Sequence, residues 1–163
     1  MTTKNTSAQQ TLGTLLRHLA ENLDLAVEQA YARSGLDYRP RYTPVFRALL
    51  DLGPSSIQAI AFQAGITHSA ASQTVAEMAK RGWVQLGKGA DARQHIVTLT
   101  RQAEEAIPVL QRHWAVTMSA ANSLDRELSV PLTDLLREAI EALERTSFIE
   151  RIERANSELK VIL

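Results

Sequence analysis

The hydrophobic period of this chain changes at Trp83, from the three- and four-residue steps of helices to the alternation of strands, and returns to helical steps after Thr100. That change limits what the middle of the chain can fold into. Before it, Ser55 or Ser56 is placed to cap a short helix with Ile57, Ile60 and Ala61 turned inward. Gly65 stops that helix, and Thr67 caps a second one two residues later, with Ala71, Val75, Met78 and Ala79 as its buried face. Gly82 ends the second helix after Lys80 and Arg81, whose charges complement the helix dipole. After it, Trp83–Leu86 and Gln94–Leu99 are β-rich runs joined by the glycine-containing stretch Gly87–Arg93, which predicts a hairpin with a long tip. The unit over residues 55–100 is therefore helix, three-residue turn, helix, hairpin.

Two helices that cross steeply need a small residue where they touch and a residue tolerant of positive φ in the turn. Ala61 and Gly65 fit those needs. If Ala71, Val75 and Met78 face the core, then His68, Ser69, Ser72, Gln73 and Ala76 face away from it, with Thr67 at the head of that face. A helix N-terminus entering a major groove sets such residues against base edges and phosphates. Glutamine pairs bidentately with adenine, and serine with several bases. The amides near Thr67 also suit a phosphate. At the hairpin, Lys88 and Arg93 are the side chains able to enter a minor groove, and Asp91 is placed to pair with Arg93 and hold it. An uncharged helix face of this kind is also what a protein-docking surface presents.

Amphipathic helices flank this unit. Leu12, Leu15, Leu16, Leu19, Leu23 and Val27 form a stripe that ends near Ser34–Gly35. A loop, Asp37–Tyr42, leads to Thr43 and Pro44, read as N-cap and first residue of a helix reaching Gly53–Pro54. With Arg39 and Arg41, this loop suits phosphate contact, pocket lining or a plain surface connection. Thr100 caps a helix striped by Ile107, Leu110, Trp114 and Met118, which Pro108 is expected to kink. A final helix starts at Ser129–Pro131 and carries Leu132, Leu135, Leu136, Ile140 and Leu143, with Phe148, Ile149 and Ile152 extending the apolar surface. The stripes at Leu12, Leu15 and Leu16, and at Phe148, Ile149 and Ile152, are too apolar to stay in water, which predicts self-association.

Composition removes other readings. Apolar residues make up 45%, enough for a core, while aromatics at 5% predict a core mostly of Leu, Ile, Val and Ala. The 163 residues carry no net charge, but residues 54–100 come to +2 and residues 101–163 to −3, so the middle is the most basic part. There is no cysteine, hence no disulfide framework, thiol switch or cysteine-based zinc site. The four histidines, at 18, 68, 95 and 113, lack metal-ligand spacing, so neither a metal nor any other cofactor is expected. No apolar run is long enough to span a membrane, and Met1–Gln10 is polar rather than a secretion signal, so a reducing cytoplasm is the simplest location. Gly87-Lys88-Gly89 is too short for a phosphate loop, and no catalytic triad or carboxylate pair stands out, so an enzyme is not expected.

Residues Thr43–Thr100 resemble the DNA-binding core of the MarR family of bacterial transcription regulators. The likeness is carried by Ile57–Thr67, by Gly82-Trp83-Val84 and above all by Asp91-Ala92-Arg93 followed by Val97-Thr98-Leu99-Thr100. It implies a mainly α fold with a small β-hairpin: a winged helix-turn-helix over 43–100, flanked by dimerisation helices over 1–36 and 101–163. It further implies a homodimeric repressor that reads a pseudo-palindrome on double-stranded DNA and releases it when a small-molecule effector binds. The effector pocket implied lies around Tyr31, Tyr42, Phe46 and Trp114. Two departures reduce the expected phosphate contacts: Gln73 stands where many relatives carry a basic residue, and Gln85-Leu86-Gly87 lacks arginines frequent in the family's wing. The competing expectations are a winged-helix adaptor for another protein, or a small-molecule-binding protein without DNA binding.

Overall fold

The computed structural model describes residues 11–88 and 95–162 and divides into two compact units, the break falling between His113 and Trp114. In the first unit, α1 (Leu12–Arg33) opens on Thr11, whose hydroxyl accepts the Thr14 N–H at 3.3 Å. A 3₁₀ turn (Pro40–Tyr42) runs directly into α2 (Thr43–Leu52). Thr43 is thus the first residue of α2 rather than its cap, and its hydroxyl accepts a hydrogen bond from Tyr38 at 3.4 Å. Then follow β1 (Ser55–Ser56), α3 (Ile57–Ala64), α4 (His68–Lys80), β2 (Val84–Lys88), β3 (His95–Leu99) and α5 (Arg101–Glu127), which continues through Pro108.

The hairpin belongs to a three-stranded antiparallel sheet in the order β1-β3-β2. Its register pairs Val84 with Leu99 and Lys88 with His95, and sets Ser55 against Val97. Strand β1 has no counterpart in the sequence reading. Two polar residues carry no strand periodicity, and only pairing with distant β3 makes them a strand. Val84 and Val97 are buried under the sheet, against a core supplied by Val45, Leu49, Ile60 and Val75 of the helices.

Aromatic side chains meet at one point of this core. Five of the chain's eight aromatics (three Phe, two Trp, three Tyr) gather in one cluster. Tyr38 is its hub, edge-on to Tyr31 at 4.9 Å, Trp83 at 5.1 Å, Tyr42 at 5.6 Å and Phe46 at 5.9 Å. Each such edge-to-face pair contributes about 0.5–1.5 kcal/mol beyond burial. Trp83 Nε1 also donates to the Asp37 carbonyl at 3.0 Å. By number the core is mostly Leu, Ile, Val and Ala, as expected, with eleven of the seventeen buried apolar residues among those described, while the five aromatics meet at one point within it.

The second unit holds the end of α5 with α6 (Leu132–Arg145) and α7 (Phe148–Ile162). Asp125 accepts the Leu132 N–H at 2.8 Å and the Thr133 hydroxyl at 2.9 Å, which starts α6. The single final helix expected from the sequence is two helices. Ser147 and Glu150 form a capping box at the break: Ser147 N–H donates to Glu150 Oε2 at 2.7 Å, and the Glu150 N–H to Ser147 Oγ at 3.4 Å. Those hydrogen bonds hold the Glu150 carboxyl below its ordinary range. No described side chain of this unit is buried, and Leu135, Ile140, Phe148, Ile149 and Ile152 are all exposed.

Burial raises the Tyr38 phenol well above its ordinary value of 10.0, and burial raises Tyr42 in the same direction against the pull of Arg81, Arg39 and Arg41. The folded chain therefore holds both phenols neutral where the unfolded chain ionises them. Their contribution to stability is complete below pH 10 and is lost as pH rises above it. Denaturant unfolding followed from about pH 9 to 11 should show stability falling above pH 10, with Tyr38→Phe removing about 1.4 kcal/mol per pH unit of that fall. An unchanged slope in Tyr38→Phe would show that Tyr38 ionisation plays no part.

Candidate nucleic-acid interface

The turn between α3 and α4 is built by local chemistry. Gly65 takes φ 65°, a conformation that costs any other residue about 1–2 kcal/mol. Its N–H donates to Phe62 O at 3.2 Å and the Ile66 N–H to Ala61 O at 3.1 Å, so the last carbonyls of α3 are satisfied. The Thr67 hydroxyl then accepts the Ala70 N–H at 3.2 Å and opens α4. The same arrangement closes α4: Gly82 at φ 75° donates to Ala79 O, and the Trp83 N–H to Met78 O at 2.9 Å. Trp83 is thereby delivered to the aromatic cluster at the point where β2 begins.

Ala61 and Ala71 are buried where α3 and α4 pack together, as their small size predicts. Ala71, Val75 and Met78 are buried, with Thr74 beside them. Opposite, Thr67, His68, Ser69 and Gln73 are exposed, and Ser72 is half-buried. The structure therefore brings the five expected residues to the first two turns of one helix. That face bears hydroxyls, an amide and an imidazole but no formal charge from Asp, Glu, Lys or Arg. It suits hydrogen-bond reading of base edges rather than strong attraction to phosphate.

In the hairpin, Lys88 is the last described residue of β2 and pairs with His95. Asp91 and Arg93, the two other wing residues expected to touch DNA, lie outside the described residues. The four residues expected around an effector are distributed differently. Tyr31, Tyr42 and Phe46 are fully buried in the core of the first unit, in the cluster around Tyr38, while Trp114 belongs to the second unit. The loop Asp37–Tyr42 is not a loose surface connection. Tyr38 and Tyr42 are core residues, and Arg39 and Arg41 are ion-paired to Glu77 of α4. Sequence reading missed this because nothing local links position 77 to positions 39–42. Among the described residues no group of three or more His, Asp or Glu could hold a metal ion, and no helix is long and apolar enough to cross a membrane.

This geometry defines a winged helix-turn-helix protein. The sequence model of the MarR family matches residues 34–94, from the end of α1 to the residue before β3, so that segment is similar to the MarR family. Solved structures extend the likeness of fold over most of the chain. The M. tuberculosis transcriptional regulator MOSR in complex with DNA aligns with a TM-score of 0.63 at 19% identity, covering 84% of this chain and 96% of that one. The transcriptional repressor CouR bound to a 23-mer DNA duplex gives 0.62 at 17%, covering 88% and 99%. The PcaV transcriptional regulator from Streptomyces coelicolor in complex with its natural ligand gives 0.61 at 16%, covering 90% and 99%. No curated protein sequence matches the chain significantly.

Thr67 is the one cap between the turn and the exposed face. Thr67→Ala should cost about 1 kcal/mol in denaturant unfolding, with Thr67→Ser nearly neutral. Equal losses for Ala and Ser would show that the hydroxyl is not the cap.

Proposed function

We propose that this chain is a dimeric transcriptional regulator that binds double-stranded DNA through α4 and the hairpin and releases it on binding a small molecule. The observation that carries the reading is the exposed, capped first half of α4, set by Gly65 and Thr67 on a winged-helix segment similar to the MarR family. Two of the similar structures are DNA complexes and a third holds a ligand, which supports the same assignment for this chain. Thr67, His68, Ser69, Ser72 and Gln73 are assigned to base edges and flanking phosphates in the major groove. Lys88 and Arg93 are assigned to the minor groove beside it, with Asp91 orienting Arg93. Repression, rather than activation, is the output this reading favours, as it is the role named for CouR.

Dimerisation is part of the proposal. In α1 only Tyr31 is buried, while Leu12, Leu15 and Leu16 are exposed. With Phe148, Ile149 and Ile152, these residues form apolar surfaces that a second copy would cover. Two reading helices then sit about 34–36 Å apart or at a multiple, matching turns of the duplex.

The binding test is selection of DNA from the region upstream of the chain's own gene, followed by titration at several salt concentrations. Affinity should fall steeply with salt, and Arg93→Ala should bind about tenfold more weakly with a salt slope shallower by about one. Failure to retain any sequence, alongside a stable protein partner, would favour a docking adaptor instead. Sedimentation at micromolar concentration should show a dimer, and Ile149→Glu combined with Ile152→Glu should weaken association about a hundredfold. A monomeric wild type would overturn the dimer.

A further inference from the structure

Helix α4 contains one acidic residue, Glu77, and its carboxylate is turned toward the connection between α1 and α2. Glu77 Oε1 accepts the Tyr42 hydroxyl at 2.7 Å and lies 3.0 Å from Arg39 Nη1, while Oε2 is paired with Arg41. Arg81, one turn further along α4, approaches Oε1 at 3.8 Å and closes on Asp37 in the same connection. Arg39 also reaches Glu28 of α1 at 3.9 Å. Three guanidinium groups thus meet three carboxylates, a balanced network spanning α1, the connection and α4. The 3₁₀ turn Pro40–Tyr42 packs against both helices, so it is the physical link between them.

Thermodynamic stability alone gives this network little purpose. Its arginines are part-exposed, and such ion pairs contribute modestly. The buried Tyr38 cluster already anchors the connection. What the network adds is direction, because a hydroxyl and two guanidinium groups on one short turn converge on the two oxygens of one side chain. That convergence resists rolling of α4 about its axis, which the nonpolar face of Val75 and Met78 does not resist as strongly.

We infer that Glu77 is a positioning residue for the reading helix. By gripping the Arg39–Tyr42 turn it sets the rotation of α4 against α1, and so the angle at which Thr67–Gln73 are presented. The functional half of this inference rests on the DNA-binding role proposed above; the orientation itself is measurable without DNA.

The absence of cysteine permits site-specific labelling. Gln29→Cys on α1 and Ala76→Cys on α4, both at exposed positions, would carry spin labels, with the labelled chain diluted into excess unlabelled chain. Pulsed electron resonance should give one narrow distance population at low salt that broadens as salt screens the part-exposed pairs. In Glu77→Gln, which keeps an acceptor for Tyr42 and loses the charge, the distribution should be about twofold wider than wild type at low salt and change little as salt rises. Arg41→Gln, at a half-exposed position where folding is not threatened, should broaden it in the same direction, and Arg41→Lys should restore the narrow form. Glu77→Gln should also bind the selected DNA about tenfold more weakly while keeping its affinity for unrelated DNA. Widths unchanged in Glu77→Gln and Arg41→Gln overturn the inference. A widened distribution with undiminished DNA affinity overturns the link to reading. If the wild type binds no DNA and the widths still change, the proposed function fails and the positioning of α4 stands.

Discussion

The edge-on packing of Tyr38 against its four aromatic neighbours is the contact on which the rest of the first unit depends. Its partners come from the end of α1, the 3₁₀ turn, α2 and the start of β2. A single buried ring therefore joins segments that no secondary-structure hydrogen bond connects. The winged-helix segment inherits its placement from that point, since Trp83 follows directly on the glycine that ends α4 and precedes the first wing strand. The phenol hydroxyl is satisfied by Thr43 and the indole N–H by Asp37 O, so the cluster buries its polar atoms at little cost.

What could be read from the sequence was what is decided locally. Gly65, Thr67 and Gly82 act through hydrogen bonds to residues three to five positions away, so the turn and the limits of α4 were legible, as was the exposed row from Thr67 to Gln73. The aromatic cluster was not legible, because its members are scattered from position 31 to 83 with no common period. Tyr31, Tyr42 and Phe46, named from the family resemblance as residues around an effector, are members of that buried cluster. Strand β1 and the Glu77 network were hidden in the same way, both depending on partners far along the chain. The break between α6 and α7 was a different case. Its signal, Ser147 followed three residues later by Glu150, stands in the sequence, but the apolar stripe on either side gave no reason to look for an interruption.

The two units differ in how they treat apolar surface. The first buries its large side chains around one centre, whereas the second presents Leu135, Ile140, Phe148 and Ile152 on amphipathic helices with none of its described residues buried. The proposed dimer is the reading that gives the second unit's apolar faces a cover. In the same molecule, the face of α4 assigned to reading bears no charge, while the arginines near its other end are matched by carboxylates. On the proposed function, selectivity on that face would rest on shape and hydrogen bonding more than on attraction.

The Thr100 hydroxyl, at the entry to α5, shows how closely the long helix and the wing are joined. It donates to the Gly82 carbonyl at 2.6 Å and accepts the Ala103 N–H at 3.2 Å, while the Thr100 N–H donates to Trp83 O at 3.2 Å. One residue thus belongs to the first turn of α5 and to the base of the hairpin at once. Winding or tilting of the first turn of α5 therefore displaces the base from which β2 and β3 rise.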